Sequence, residues 1–416
     1  MTAQPIEGVG IEALNVYCGV AAIPVRALFE GRGLDLGRLP NLAMRERAIA
    51  LPCEDPVTNA VNAARPLLAA LGPEVLATIE ILIVASESGI DLSKSIASYV
   101  HEHLGLSRQC RTVEMKQACY SAVAALQLAA SYVASGVSPG ARVLVIAADV
   151  SLVDARAEYA EPAMGTGAAA LLVSDRPRVL RLDLGAFGLC SFETMDSARP
   201  TPQLDVADVD GSLFAYLDCL SASFADYCRR VEGADFVSTF DFLAFHTPFA
   251  GLVKAAHRKM MRELSGASPE AVAADFAGRV EPSLVYPSVV GNLCAGSVFL
   301  ALASLIETAR PERAARVGLF SYGSGCASEF LSGVVGPEAV AALAPLAIGE
   351  RLAGRVALSF ADYGELLAAN LCCLVPERER RVELGPSLEL LERLGERPEL
   401  LVLTEIRDFH RKYRWA

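Results

Sequence analysis

The stretch Ala118-Cys119-Tyr120-Ser121-Ala122-Val123-Ala124-Ala125-Leu126-Gln127-Leu128-Ala129-Ala130-Ser131-Tyr132-Val133-Ala134-Ser135, followed by Gly136, is apolar around nearly its whole circumference when wound as a helix, and the glycine supplies the stop. A helix without a polar face is covered on every side, which places this one at the centre of the fold. Just upstream, Arg111 to Lys116 reads as a strand. Further out lie short runs that are apolar on both alternating faces: Ile81 to Ala85, Val143 to Ala147, Ala168 to Val173, Phe242 to Phe245 and Val317 to Phe320. Strands of that kind are buried on both sides. Their alternation with helices predicts an α/β fold with layered sheets.

The parts recur in the same order, a weak internal repeat. First a strand ends in Ser86-Glu87-Ser88-Gly89, a helix begins near Cys119, and Gly165-Thr166-Gly167 precedes Ala168; later a strand ends in Phe245-His246-Thr247-Pro248, a helix begins near Asn292, and Gly323-Ser324-Gly325 follows Phe320. Charges and Pro177 interrupt the apolar pattern around Asp175 to Arg181, so we divide the chain into halves 1–176 and 177–416. If each half is a five-stranded βα unit, a pseudo-two-fold axis gathers Glu87, Cys119, His246 and Asn292 at one centre. The tail from Glu338 to Ala416 reads as helical and leucine-rich with a basic end at Arg411 to Arg414, and is expected to pack on the second half.

With 53% hydrophobic and 21% charged residues in 416, the chain can bury one large core or two fused ones. Its apolar stretches are broken by Glu80, Gln127 and Pro345, short of the ~18–20 residues that span a bilayer, so no membrane segment is expected. Met1 to Gly10 holds Glu7 and no basic residue, unlike a secretory signal, which makes the cytoplasm the default. Eleven cysteines without paired ligand spacing, and few histidines, predict neither a disulfide framework nor a metal. A net charge of −12 argues against nucleic acid as the main partner.

At the candidate site, Cys119 between a strand and the central helix would feel the positive end of the helix, which favours the nucleophilic thiolate. The same position suits one more buried apolar cysteine. His246 stands at a strand tip, where catalytic groups collect in α/β sheets, although a satisfied core histidine also fits. Asn292 offers an amide to a developing oxyanion, or it is an ordinary Gly-Asn turn. Glu87 discriminates among chemistries. A carboxylate enclosed at a strand end suits general-base work, and carbon–carbon bond formation by enolisation needs a base to take the thioester α-proton; a surface Glu in an ion pair is the plainer reading.

Together with Ala50-Leu51-Pro52-Cys53-Glu54-Asp55-Pro56-Val57, Ser86-Glu87-Ser88-Gly89-Ile90-Asp91, Glu114-Met115-Lys116-Gln117-Ala118-Cys119-Tyr120-Ser121, Tyr216-Leu217-Asp218-Cys219-Leu220 and Ala244-Phe245-His246-Thr247-Pro248-Phe249, these residues resemble the 3-hydroxy-3-methylglutaryl (HMG) synthase family of the thiolase superfamily, from about Val9 to Gly333. The closer resemblance is to the branch that serves polyketide assembly lines on acyl carrier proteins. It implies a thiolase-like fold of two pseudo-repeated halves in a five-layer αβαβα arrangement, a homodimer, donor and acceptor acyl carrier proteins as partners, and no cofactor. It also implies that Cys119 carries a short donor acyl group, acetyl or propionyl, that Glu87 removes its α-proton and His246 polarises the acceptor, that Asn292 and Ser324 orient ligand carbonyls, and that Asp196 supports the site from the second half.

Several positions depart from the family pattern. Enzymes that use coenzyme A commonly carry a lysine where this chain has Gly251, and the nearby Lys254, His257, Arg258 and Lys259 either meet an acidic carrier protein or form a solvated helix face. Cys294 replaces the tyrosine of a Gly-Asn-x-Tyr motif, Ser121-Ala122-Val123 stands where Ser-Gly-Thr is frequent, and Ala22 occupies another common tyrosine position. The loop Ser151 to Ala160 does not align cleanly, which leaves a donor-pocket tyrosine unplaced. Lost side-chain volume at Cys294 and Ala22 predicts a donor pocket with room for propionyl rather than acetyl, a methylene there being worth roughly 1–3 kcal/mol. The rival readings are an HMG-CoA synthase of the mevalonate pathway, a decarboxylating ketosynthase, which needs no Glu87, and a catalytically silent carrier-binding partner.

Overall fold

A computed structural model describes residues 8–394 and 399–416; Glu7, which enters the reading of the N-terminus, lies outside the described residues. The main sheet is built from β1 (Gly10–Tyr17), β2 (Ile79–Ala85), β3 (Arg111–Met115), β4 (Arg142–Asp149), β5 (Gly167–Ser174), β6 (Leu180–Ser191), β7 (Phe242–Phe245), β8 (Ala315–Gly323) and β9 (Ala327–Val335), in the spatial order β7-β8-β9-β6-β1-β5-β4-β2-β3. β1 and β6 meet over only two residue pairs, Gly10↔Arg181 and Ile11↔Leu180. Each half therefore forms its own sheet, joined at a corner, and the second has four strands rather than the five anticipated. The chain at Ser197–Thr201 and Leu204–Ala207 instead forms a separate two-stranded hairpin.

The helices that position the site are α1 (Pro56–Leu71), α2 (Ile96–Leu104), α3 (Ser121–Ala134), α4 (Val209–Arg230), α5 (Ala250–Ser265) and α6 (Ser297–Ala309). Period-two alternation sends successive strand residues to opposite layers. Leu82, Val84, Leu144, Ile146, Ala170 and Leu172 face α1 and α2, whereas Ile83, Val143, Val145, Leu171 and Val173 face α3 and α6. From the other sheet, Val317, Leu319 and Leu331 meet the same central helices, while Leu243, Phe245, Phe320 and Phe330 turn outward to α4 and α5. Five αβαβα layers result, with α3 in the middle one; it is not covered on every side as expected, because its face through Leu128 and Ser131 is exposed. α1 starts on a capping box in which the Asp55 carboxylate accepts from the Thr58 N–H and the Thr58 hydroxyl reaches back to the Asp55 N–H.

The tail departs from expectation. It contains helices, but it ends in a hairpin of β10 (Leu401–Arg407) and β11 (His410–Trp415), turning at Asp408 and Phe409 with φ of 47° and 61°. That hairpin packs on the first half: Leu401, Val402 and Leu403 join the core of α1 and α2, and the Leu403 N–H donates to the Cys53 carbonyl. Asp55 is the anchor, accepting from Arg411 Nη1 and the Tyr413 hydroxyl, each at 2.9 Å. The basic end is thus spent partly on a buried carboxylate, a partner that composition does not reveal. Because Arg411 and Asp55 are both buried, Arg411→Ala strands an uncompensated charge and should cost about 3–5 kcal/mol, measurable as a lowered denaturant midpoint.

Candidate active site

The two halves enclose a cavity of about 990 Å³ lined by Glu87, Cys119, His246, Asn292, Cys294 and Ser324 among others. Cys119 lies in the connection between β3 and α3; helical structure begins only at Ser121. Ala118 before it has φ of 44°, a conformation that non-glycine residues adopt at some cost and that turns the cysteine toward the cavity. The turn Gly323-Ser324-Gly325 docks directly on this segment: a Cβ at Gly323 would stand 2.4 Å from the Gln117 carbonyl oxygen, so only glycine permits the approach.

The Cys119 thiol donates to Glu87 Oε2 at 3.3 Å, and Cys294 completes a cluster whose three ligand atoms lie within 4.8 Å of one another. A hydrogen bond from Cys294 pulls the Cys119 thiol down, but burial and the nearby Glu87 and Asp149 push it up to about 12. Cys119 therefore rests as a thiol. The expected helix-terminus effect does not prevail, because the helix starts two residues later and carboxylates stand closer. On the other side of Glu87, Arg199 Nη2 lies 3.9 Å from Oε1 and is itself held by Asp205.

Asp149, at the end of β4, is the buried knot beneath this cluster. Its Oδ1 accepts from the Ser86 hydroxyl, the Glu87 N–H and the Ser88 hydroxyl at 2.9–3.1 Å, and its Oδ2 accepts from the Ala295 N–H at 3.1 Å. One carboxylate thereby fixes the Glu87 loop to the segment that carries Cys294. Burial and the neighbouring Glu87 raise its pKa.

His246 closes β7 and is buried. Its N–H donates to the Phe320 carbonyl and its own carbonyl accepts the Tyr216 hydroxyl, both at 2.7 Å, while Nδ1 has no hydrogen-bond partner. Burial depresses the imidazole to about 3, so it is neutral at working pH and acts as a hydrogen-bonding group rather than as a cation. Since this value lies below the ordinary 6.5, the neutral ring contributes stability that is complete above pH 6.5 and is lost as pH falls toward 3. Histidine-selective NMR should show no titration of His246 between pH 5 and 8; a midpoint near 6.5 would contradict this environment. Asn292 spends its carbonyl on the Cys294 N–H at 2.9 Å, which leaves its amide nitrogen, 3.9 Å from Met164 Sδ, directed at the cavity wall.

Residues 7–177 match the family described as hydroxymethylglutaryl-coenzyme A synthase N terminal, and residues 261–411 the one described as hydroxymethylglutaryl-coenzyme A synthase C terminal. A Bacillus subtilis protein, polyketide biosynthesis 3-hydroxy-3-methylglutaryl-ACP synthase PksG, is 45% identical over 415 residues, covering 98% of this chain and 99% of its own. The chain belongs to the hydroxymethylglutaryl-coenzyme A synthase family. An Enterococcus faecalis hydroxymethylglutaryl-CoA synthase is 35% identical, covering 87% of this chain and 92% of its own. Among solved structures, the curacin biosynthetic pathway HMG synthase in complex with apo donor-ACP superposes with a TM-score of 0.95 at 46% identity, covering 99% of this chain and 100% of that one. The fold is thiolase-like, as in these HMG synthases.

Not every residue singled out from the HMG synthase pattern lines the cavity. Asp196 is buried behind it, accepting from the Gly325 N–H at 2.9 Å and from the Tyr322 hydroxyl; it braces the Ser324 turn and does not face substrate. Ala22 does not line the cavity but sits buried in the strand Ala21–Pro24 opposite Ala48, which removes it from the donor-pocket argument. Of the basic stretch on α5, His257 is buried against Asp275 and Lys259 is engaged by Ser221 and Glu263, leaving Lys254 and Arg258 on the exposed face. The unaligned loop supplies Tyr159, which lines the cavity, receives the Arg38 guanidinium 4.3 Å over its ring and stands edge-on to Phe29. Sequence reasoning missed Asp149 and Arg199, and gave Tyr216, which it quoted only within a motif, no role of its own. An acid closing an otherwise apolar strand was a readable signal for Asp149; Arg199 acquires its role only through the hairpin that carries it.

Proposed function

We propose that this chain is an HMG-ACP synthase-type acyltransferase: it takes a short acyl group from a donor acyl carrier protein, enolises it and adds it to the β-keto carbon of a polyketide on an acceptor carrier protein. The observation that carries this reading is the contact between the Cys119 thiol and the Glu87 carboxylate at 3.3 Å, in one cavity with His246 and Asn292. In acylation Glu87 takes the thiol proton as Sγ attacks the donor thioester, and the departing carrier thiol receives a proton. Glu87, having passed that proton to the departing thiol, then removes the α-proton of the acyl group; the enolate attacks the acceptor ketone, and the resulting alkoxide takes up the proton now held by Glu87. Neutral His246 and the Asn292 amide donate hydrogen bonds to the oxygens that gain charge. Water finally releases the product from Cys119.

Two features favour a carrier protein over free coenzyme A. The Bacillus relative is a 3-hydroxy-3-methylglutaryl-ACP synthase by name and the curacin HMG synthase is seen in complex with donor-ACP, and at the start of α5 a Cβ on Gly251 would stand 1.8 Å from the Asn41 carbonyl oxygen, so no lysine fits there. Lys254 and Arg258, with Arg262 one turn further on, are exposed basic side chains available to an acidic carrier on that helix. Pairing of two copies through the sheet-edge strand β3 would give a homodimer, and the enzyme would work in the cytoplasm; no helix among the described residues is long and apolar enough to cross a membrane.

For the donor, the reading is propionyl and hence an ethyl branch. The support is the small Cys294 side chain beside Cys119, now without Ala22. With equal acetyl- and propionyl-loaded donor carriers in competition, propionyl should be used about 10- to 200-fold faster, the range one methylene commands in an apolar pocket. Equal or preferred use of acetyl overturns the propionyl reading, and no branched product from either donor overturns the function.

A further inference from the structure

Glu87, Cys119 and Cys294 are remote in sequence, so cysteine spacing gave no hint of a metal. The fold nevertheless brings one carboxylate oxygen and two sulfurs within 4.8 Å of one another, with Cys119 Sγ and Glu87 Oε2 at 3.3 Å. Tetrahedral zinc with Zn–S near 2.3 Å and Zn–O of about 2.0–2.2 Å places neighbouring ligand atoms roughly 3.6–3.8 Å apart. Small side-chain movements suffice to reach that geometry. The three groups come from separate connections that are already tied together: Asp149 holds the backbone of both Glu87 and Ala295, and the Asn292 carbonyl holds the Cys294 N–H. Cys294 is fixed with φ of 49°, and its sulfur lines the same accessible cavity as Cys119. Arg199 pairs with the other oxygen of Glu87, Oε1, which leaves Oε2 facing the sulfurs.

We infer that Cys119, Cys294 and Glu87 form an inhibitory site for a thiophilic divalent cation of the Zn²⁺ class, with water or a substrate oxygen as fourth ligand. Two thiolates and a carboxylate suit such an ion better than Mg²⁺ or Ca²⁺, which prefer all-oxygen sites. On binding, both S–H protons pass to solvent and the sulfur lone pairs go to the metal. The nucleophile and the base are then occupied together, and an acylated Cys119, whose sulfur is a thioester, no longer serves as a ligand. Metal and donor acyl group therefore exclude each other.

The test uses Co²⁺ as a spectroscopic probe, titrated anaerobically into reduced full-length protein. Wild type should develop thiolate-to-cobalt charge-transfer absorption at one ion per chain, reduced by at least half in Cys294→Ala and lost when wild type is first acylated on Cys119. One equivalent of Zn²⁺ should slow acylation at least tenfold, reversed by a chelator. Absence of the absorption in wild type, or its persistence undiminished after acylation, overturns the site; the acylated wild type decides even if the variant does not fold. Failure of donor carriers to acylate Cys119 counts instead against the proposed function, because the spectrum of unmodified protein tests the metal by itself.

Discussion

Glu87→Ala should still accept the donor acyl group on Cys119, yet lose condensation by about 10²–10⁴-fold, the usual worth of a positioned general base. The separation follows from the chemistry of each step. Acylation needs only a proton taken from a thiol, which solvent or the departing carrier can accept, so the lost Glu87 contact slows that step without stopping it. Enolisation needs a base at the α-carbon, and among the described cavity-lining residues Glu87 is the carboxylate hydrogen-bonded to the Cys119 thiol. A decarboxylating ketosynthase would behave in the opposite way, since loss of carbon dioxide creates its carbanion without a base. Stopped-flow acylation and product formation, measured on the same variant, distinguish the two. Undiminished condensation by Glu87→Ala would remove the HMG synthase mechanism.

Cys119→Ala should abolish turnover, on the order of 10⁴-fold or more, because the acyl group then has no covalent station between donor and acceptor. Its stability should stay within about 1 kcal/mol of wild type. The Cys119 thiol, pushed up to about 12, is uncharged at neutral pH, and its polar contacts are with Glu87 and Cys294 rather than with structural elements. A silent carrier-binding partner would show no dependence on this residue. A large loss of stability would mean instead that Cys119 is one of the buried apolar cysteines.

The layers of the fold were readable because each strand that decides them is apolar on both faces, and because Ala118 to Ser135 is apolar around most of its circumference, although Leu128 and Ser131 on one side of it stay exposed. Strand ends were readable for the same reason, and with them the meeting of Glu87, Cys119, His246 and Asn292. Connections were less legible. The helix after Cys119 starts late because the chain first turns through Ala118 with positive φ, a strain fixed by the docking of Gly323 on Gln117 and Tyr120, two segments about 200 residues apart. The thiol's upward shift likewise depends on where Glu87 and Asp149 end up, not on its neighbours in sequence. The terminal hairpin was hidden because Leu400 to Arg407 looks as much like part of a leucine-rich helix as like a strand until Asp55 and Cys53 give it partners.

The most direct measurement is intact-protein mass after mixing with donor carrier protein loaded with acetyl or propionyl, in wild type and in Cys119→Ala. The account predicts a mass gain of one acyl group in wild type, larger in yield from propionyl, and none in Cys119→Ala. A folded wild type that gains no mass from either carrier, or a Cys119→Ala variant that gains it equally, would contradict Cys119 as the acyl-accepting nucleophile.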